Sequence, residues 1–220
     1  MIARRTVLTA IAAAGALPLT GCGSIHTQRY RMTVEVETPQ GLCSGSAVRE
    51  ISHRAPSTLP IPSLAEDRPS WHLRGEAVAV DLPGGQTLFA LLSSGDGVVD
   101  YAGRDIWFLF RELGGEKIVL WPNPPTTKRP MIADPLPMLV RFADITDPAS
   151  VEKVDPDNLA AAFGPSVKLR RISVELTDDA VSTGIDRRFI WLDQLEKYRT
   201  DPNNPFTSTL PTAIGGLRSQ

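Results

Sequence analysis

The chain has little of what catalytic and metal sites are usually built from. Its 220 residues include two cysteines and three histidines, and none has the H-x-x-x-H or C-x-x-C spacing that would fix a zinc ion. Runs of five or six like charges are missing as well, and 23 Lys and Arg stand against 25 Asp and Glu. A chain without a basic stripe cannot neutralise a phosphate backbone, so nucleic acid is excluded as a partner. The densest basic groups, Lys168 with Arg170 and Arg171 and Arg187 with Arg188, read as wet faces that keep a domain soluble. Beyond Cys22 no apolar stretch approaches the ~18 residues of a spanning helix. What remains, 42% apolar and 22% charged residues, suits one globular core, and nothing points to a cofactor.

The first residues are of another kind. Arg4 and Arg5 form a positive start, and Thr6 to Leu19 is an apolar, alanine-rich segment broken by Gly15 and Pro18. It is too short to span a bilayer and has the form of an export signal. Leu19-Thr20-Gly21-Cys22 then places an apolar residue and two small ones before a cysteine. This arrangement resembles the lipobox of bacterial lipoproteins. The resemblance implies cleavage after Gly21, a diacylglycerol thioether on Cys22 and an acylated new amino terminus, which together make a stable membrane anchor. Gly23, where inner-membrane members carry Asp, implies the outer membrane, with the body facing the periplasm. An ordinary secretory signal with an unmodified Cys22 is the other reading. Arg4-Arg5-Thr6-Val7-Leu8 is similar to a twin-arginine export signal and equally compatible with a simple basic start.

Loss of residues 1–21 removes two of the 23 basic residues and leaves the mature chain mildly acidic. Membrane attachment then depends on the acyl chains. Cys43 is left as the one free thiol, either buried and inert or paired with another chain.

The body reads as α+β, mainly antiparallel sheet built from hairpins, with about three short helices and long proline-rich loops. Residues 22–28 form a polar tether, 29–200 a single domain and 201–220 an extended tail. Tyr30, Met32, Val34 and Val36 alternate with Arg31, Thr33, Glu35 and Glu37, which predicts a strand with one buried face. It turns at Pro39-Gln40-Gly41 and returns from about Ser44 to His53. A second hairpin flanks Pro83-Gly84-Gly85. Ile106, Leu109, Phe110 and Leu113 predict a helix ended by Gly114-Gly115. "MLVRFADI" predicts a buried strand, "PDNLAAAFG" a short helix, and "VKLRRISVELTD" a strand. A capping box at Thr183 to Asp186 predicts a helix over "DRRFIWLDQLEKYR". Residues 54–72, with four prolines, and 121–137, with six, read as loops.

Arg31-Met32-Thr33-Val34-Glu35-Val36 and Arg171-Ile172-Ser173-Val174-Glu175-Leu176 match position by position. Either they are neighbours whose Arg and Glu pair across the wet face, or both are shaped separately by strand patterning. The blocks "YRMTVEVETPQG", "GEAVAVDLPGGQTLFALL" and "RRISVELTDDAVSTGIDRRFIWLDQL" are similar to exported proteins of proteobacteria, a resemblance that brings no activity.

No residue is assigned to catalysis. Gly41-Leu42-Cys43-Ser44-Gly45 fits a cysteine nucleophile elbow, but that motif needs a strand, a sharp turn and a helix, and strand follows here. Ser150-Val151-Glu152-Lys153 fits S-x-x-K without the S-D-N and K-T-G partners. His53, Glu66, Asp67 and His72 bracket the first loop with no metal spacing, and Asp155, Asp157, Asp178 and Asp179 sit beside turn residues. Trp107 and Trp191 read as core, whereas Trp71 and Trp121, at the edges of the proline-rich loops, are the candidate contact surface. The expectation is a lipid-anchored envelope protein acting as a non-enzymatic binding or accessory module. It would be held to the membrane through Cys22 and would act on an envelope protein partner. The alternative is an envelope hydrolase using Cys43 or a serine.

Overall fold

The computed structural model describes residues 25–55, 69–94, 99–128, 135–192 and 210–215. Cys22, Glu66 and Asp67 lie outside them.

The period-two pattern forms a long hairpin. Strand β1 (Ile25–Thr38) pairs in unbroken antiparallel register with β2 (Gly41–Arg54). The Thr38 hydroxyl donates to the Gly41 carbonyl at 2.8 Å and closes the turn. Residues 25–28 are therefore strand and not tether. Their polar side chains gave no amphipathic signal, and their pairing to Ile51–Arg54 carries them. β3 (Ser70–Arg74) adds to the far edge of β2, so Trp71 and His72 lie in a strand and not in a loop.

Across the chain, β4 (Val78–Leu82) and β5 (Gln86–Ala90) form the second hairpin around a 3₁₀ turn at Pro83–Gly85. Gly84 there has φ 81°, a left-handed conformation suited to glycine. Helix α1 (Val99–Leu113) ends where the Gly114 N–H bonds the Phe110 carbonyl at 3.1 Å. β6 (Lys117–Trp121), β7 (Leu139–Phe142), the short β8 (Val151–Lys153) and helix α2 (Leu159–Phe163) precede β9 (Lys168–Leu176). Helix α3 (Leu210–Ile214) follows.

Two antiparallel sheets result, ordered β3-β2-β1-β9-β6 and β4-β5-β7-β8. The first packs its inner face (Met32, Val34, Ala47, Ile51, Leu73, Ile172, Val174) against α1 and the second sheet in one apolar core. β1 and β9 are neighbours, with Arg31 opposite Glu175, Thr33 opposite Ser173 and Glu35 opposite Arg171. The expected cross-strand pairing occurs: Arg171 reaches Glu35 at 2.9 Å. Around it Arg170 binds Glu37, Lys117 binds Glu175, and Arg29 and Arg74 share Glu50. Arg31 turns to Asp179. The outer face is thus a lattice of paired charges.

The helix predicted over 186–199 is not formed in its described part. Residues 185–187 make a 3₁₀ turn entered through Gly184 in the left-handed region, and its first N–H, that of Ile185, is accepted by the distant Glu76 carboxylate and not by a capping-box side chain. Phe189 and Trp191 instead pack as rings on Phe142, with centroids 5.1 and 6.2 Å away. Arg188 places both guanidinium nitrogens 2.7 Å from the Asp81 carboxylate. These hydrogen bonds hold the Asp81 carboxyl below its ordinary range, and burial opposes them. A depressed carboxylate stabilises the fold above its unfolded pKa, and this contribution is lost as pH falls through the lowered value. Arg188→Ala is expected to move the Asp81 pKa upward, read by NMR titration of the side-chain carbon. An unmoved value would mean that Thr87, whose hydroxyl donates to Asp81 at 2.9 Å, carries the effect.

The tail does not lie wholly extended. α3 buries Ala213 and Ile214, whose carbonyls accept the Leu92 and Ala77 N–H groups at 2.7 Å each.

Candidate functional site

The residues singled out from sequence are dispersed. Trp71 and Trp121 stand on β3 and β6, the two opposite edges of the five-stranded sheet, and each is half-buried against the core. They do not form one patch. Cys43 and His53 share the inner face of β2 but are ten residues apart on one strand, roughly 33 Å at 3.3 Å per residue. His72 lies opposite Ser52 on the outer face. A thiol-imidazole pair is not assembled, and β2 runs straight through the G-x-C-x-G stretch. Ser150 spends its hydroxyl on the loop, donating to the Asp144 and Asp147 carbonyls at 2.6 and 2.7 Å. Asp155 closes a turn by accepting the Asp157 N–H at 2.9 Å.

Three local constructions stand out from this background. One is an aromatic group where β1 starts and β2 ends. His53 stacks on Trp71 with centroids 4.1 Å apart. Trp71 also meets Trp107 at 5.8 Å and Phe108 at 5.3 Å. Burial, then the charges of His26 and Arg111, holds the His53 imidazole below its ordinary pKa, so at neutral pH it is an uncharged ring suited to stacking.

A second construction is a buried guanidinium. Arg49, 1% exposed, donates from Nη2 to the carbonyls of Ala90 (2.9 Å) and Leu91 (3.2 Å) and from Nε to that of Glu76 (3.2 Å). Tyr30 shares a further hydrogen bond with it. Every one of these partners is a structural group, so Arg49 reads as a brace for the fold.

The third lies at the opposite end of β1. Three depressions adjoin there through shared walls. One of about 380 Å³ runs along the hairpin tip beside Leu42, Ser166, Lys168 and Arg170. A second, about 330 Å³, is bounded by Thr38, Pro39, Pro83, Gly84 and Pro165. The third, about 630 Å³, lies between Gly84-Gly85-Gln86 and Arg141, Phe142 and Phe163. Leu42 is 56% exposed at the rim, an apolar side chain open to solvent at the hairpin tip. Arg141 is already engaged by Glu152 and by the Ala162 carbonyl, and Arg170 by Glu37. Among the described residues Lys168 has the amine at the groove with no ion pair drawn to it. The walls come from residues 37–42, 82–87, 141–145 and 163–170, which no linear spacing reveals. The exposed Leu42 was the one signal in the sequence, and as a single apolar residue in a turn it is indistinguishable there from strand patterning. No group of three or more His, Cys, Asp or Glu side chains converges on a common point among the described residues.

No protein-family model, curated protein or solved structure matches this chain.

Proposed function

We propose that the chain is a lipid-anchored protein of the bacterial cell envelope. It faces the periplasm from the outer membrane and is a non-enzymatic binding module that presents the groove at the hairpin tip to an envelope protein. The observation that carries this is the direction of β1. Its first residue, Ile25, follows the lipobox cysteine by three positions, and its last, Thr38, walls the groove. Thirteen strand steps of about 3.3 Å separate the two, so the groove stands roughly 40 Å from the anchored end. A pairing of exposed Leu42 with glycine- and proline-rich walls suits an extended peptide, which needs apolar contact and close backbone approach.

Cys22→Ser is expected to abolish palmitate labelling and to move the protein from the membrane to the soluble fraction. Unchanged fractionation with no label in the parent defeats the anchor. A photocrosslinking residue at Gln86 is expected to capture a defined envelope protein, and the same residue at Trp121 is not. Equal capture at both positions defeats the groove as the contact surface.

A further inference from the structure

We infer that the end of the first sheet bearing the aromatic stack lies in the headgroup region of the phospholipid bilayer, so that the domain stands on the membrane and does not hang free from it. This rests on the anchor at Cys22 proposed above and specifies what that anchor leads to.

Covalent reach makes the first step. Only Gly23 and Ser24 separate Cys22 from Ile25, and three chain steps of at most ~3.6 Å keep the Ile25 Cα within about 11 Å of the Cys22 Cα. An acylated Cys22 is itself held at the interface. Ile25, already in β1 and 67% exposed, cannot be farther from the headgroups than that reach.

Register makes the second. Ile25 is opposite Arg54, His26 opposite His53, His53 opposite Trp71 and Arg54 opposite Ser70. Whatever surface holds Ile25 therefore also faces the ends of β2 and β3. The α1 side chains that complete this end are Phe108, in ring contact with Trp71, and Arg111, whose charge acts on His53.

Composition makes the third. The surface combines an exposed Ile25, half-exposed Trp71 and Phe108, and exposed Arg54 and Arg111. Indole and phenyl rings half in and half out of water are suited to the interface, and guanidinium groups suit lipid phosphate. The tether also removes any need for strong independent affinity, because it holds this face next to lipid at a very high effective concentration. At the far end of β1 the groove is left in the aqueous compartment.

The test uses the acylated full-length protein with Cys43→Ala and one nitroxide-labelled cysteine, either Ser70→Cys or Gln40→Cys, in vesicles of phosphatidylethanolamine and phosphatidylglycerol. Accessibility to a water-soluble nickel chelate is compared with the Cys22→Ser form in buffer. The expected result is a severalfold loss of accessibility at position 70 and none at position 40. Acyl mass present on Cys22 with positions 70 and 40 equally accessible overturns the orientation and leaves the anchor standing. Shielding at position 40 means that the domain lies on its side and also overturns it. Absence of acyl mass on Cys22 removes the anchor, and the inference falls with it.

Discussion

Gly45→Ala is expected to lower the stability of the domain by about 3 kcal/mol, at the upper end of the cost of overpacking a core. Gly45 lies on the inner face of β2, opposite Val34, where β4 crosses. A Cβ at this position would overlap the Ala79 carbonyl oxygen, come within 2.8 Å of its carbon and within 3.3 Å of the Val78 side chain. The obstacle is backbone inside a paired strand, since Ala79 is held opposite Phe89. A flexible side chain would yield, but here the two sheets must move apart, and the contacts of Val78 and Ala47 loosen with them. The measurement is urea unfolding followed by circular dichroism, with a lower midpoint and an unchanged m-value. Gly84→Ala is the control, because an added Cβ there meets nothing within 4 Å. Its cost is confined to the left-handed backbone, about 1 kcal/mol. If the two substitutions cost the same, the close crossing of β2 and β4 is not what Gly45 serves.

The same crossing shows where the sequence was readable and where it was not. β1, β2 and β9 could be read because each is amphipathic within itself. The adjacency of β1 and β9 could be read because Glu35 and Arg171 wrote their pairing into matched patterns. α1 carried its own stop in Gly114. β3 was hidden among prolines, and β6, only five residues long between Gly115 and a proline-rich segment, had too few positions to show a period. The 186–192 segment was misread for a different reason. The capping-box pattern is present in the sequence, but Arg188 is drawn to Asp81 and Phe189 and Trp191 to the Phe89 and Phe142 rings. Contacts made across the fold outweigh a propensity of a few tenths of a kcal/mol per residue. The groove lies beyond any such reading, since its walls are brought together from residues as far apart as Glu37 and Arg170 by the register of two sheets. Trp71 was singled out as an exposed contact and Trp121 with it. Being placed on opposite edges gives them separate surroundings, and the company of His53, Phe108 and Arg111 ties Trp71 to the end of the sheet where β1 starts.

Arg49→Met is expected to be the most damaging substitution that adds no volume, at about 3–5 kcal/mol, the cost of leaving several buried carbonyls without their donor. Nothing in the sequence marked this residue, because it falls on the inner face of β2 between Ala47 and Ile51, where the pattern calls for an apolar side chain. Its burial is tolerated because three backbone carbonyls, the Tyr30 hydroxyl and the nearby Glu76 charge surround the guanidinium. Burial pulls the Arg49 pKa down, and Tyr30 and Glu76 oppose that pull. The carbonyls of Ala90 and Leu91 lie where the chain leaves β5, so without Arg49 they are buried acceptors with a lost donor, each costing about 1–3 kcal/mol. Met fills similar space but donates nothing. The Glu76 carbonyl is a third such acceptor, and the Glu76 carboxylate in turn accepts the Ile185 N–H at 2.8 Å. Residue 76 also bridges to Gly215. The damage is therefore expected to spread to α3 and to the 185–192 segment. Amide exchange at Ala77 and Leu92, whose N–H groups bond α3, should accelerate in Arg49→Met under conditions where amides at the centre of the β1–β9 pair do not. Arg49→Lys keeps the charge but cannot span carbonyls arranged for a planar fork, and its loss should fall between parent and Met. An Arg49→Met protein as stable as the parent, with unchanged exchange at residues 77 and 92, would show that the two sheets and α3 are held together without the Arg49 guanidinium.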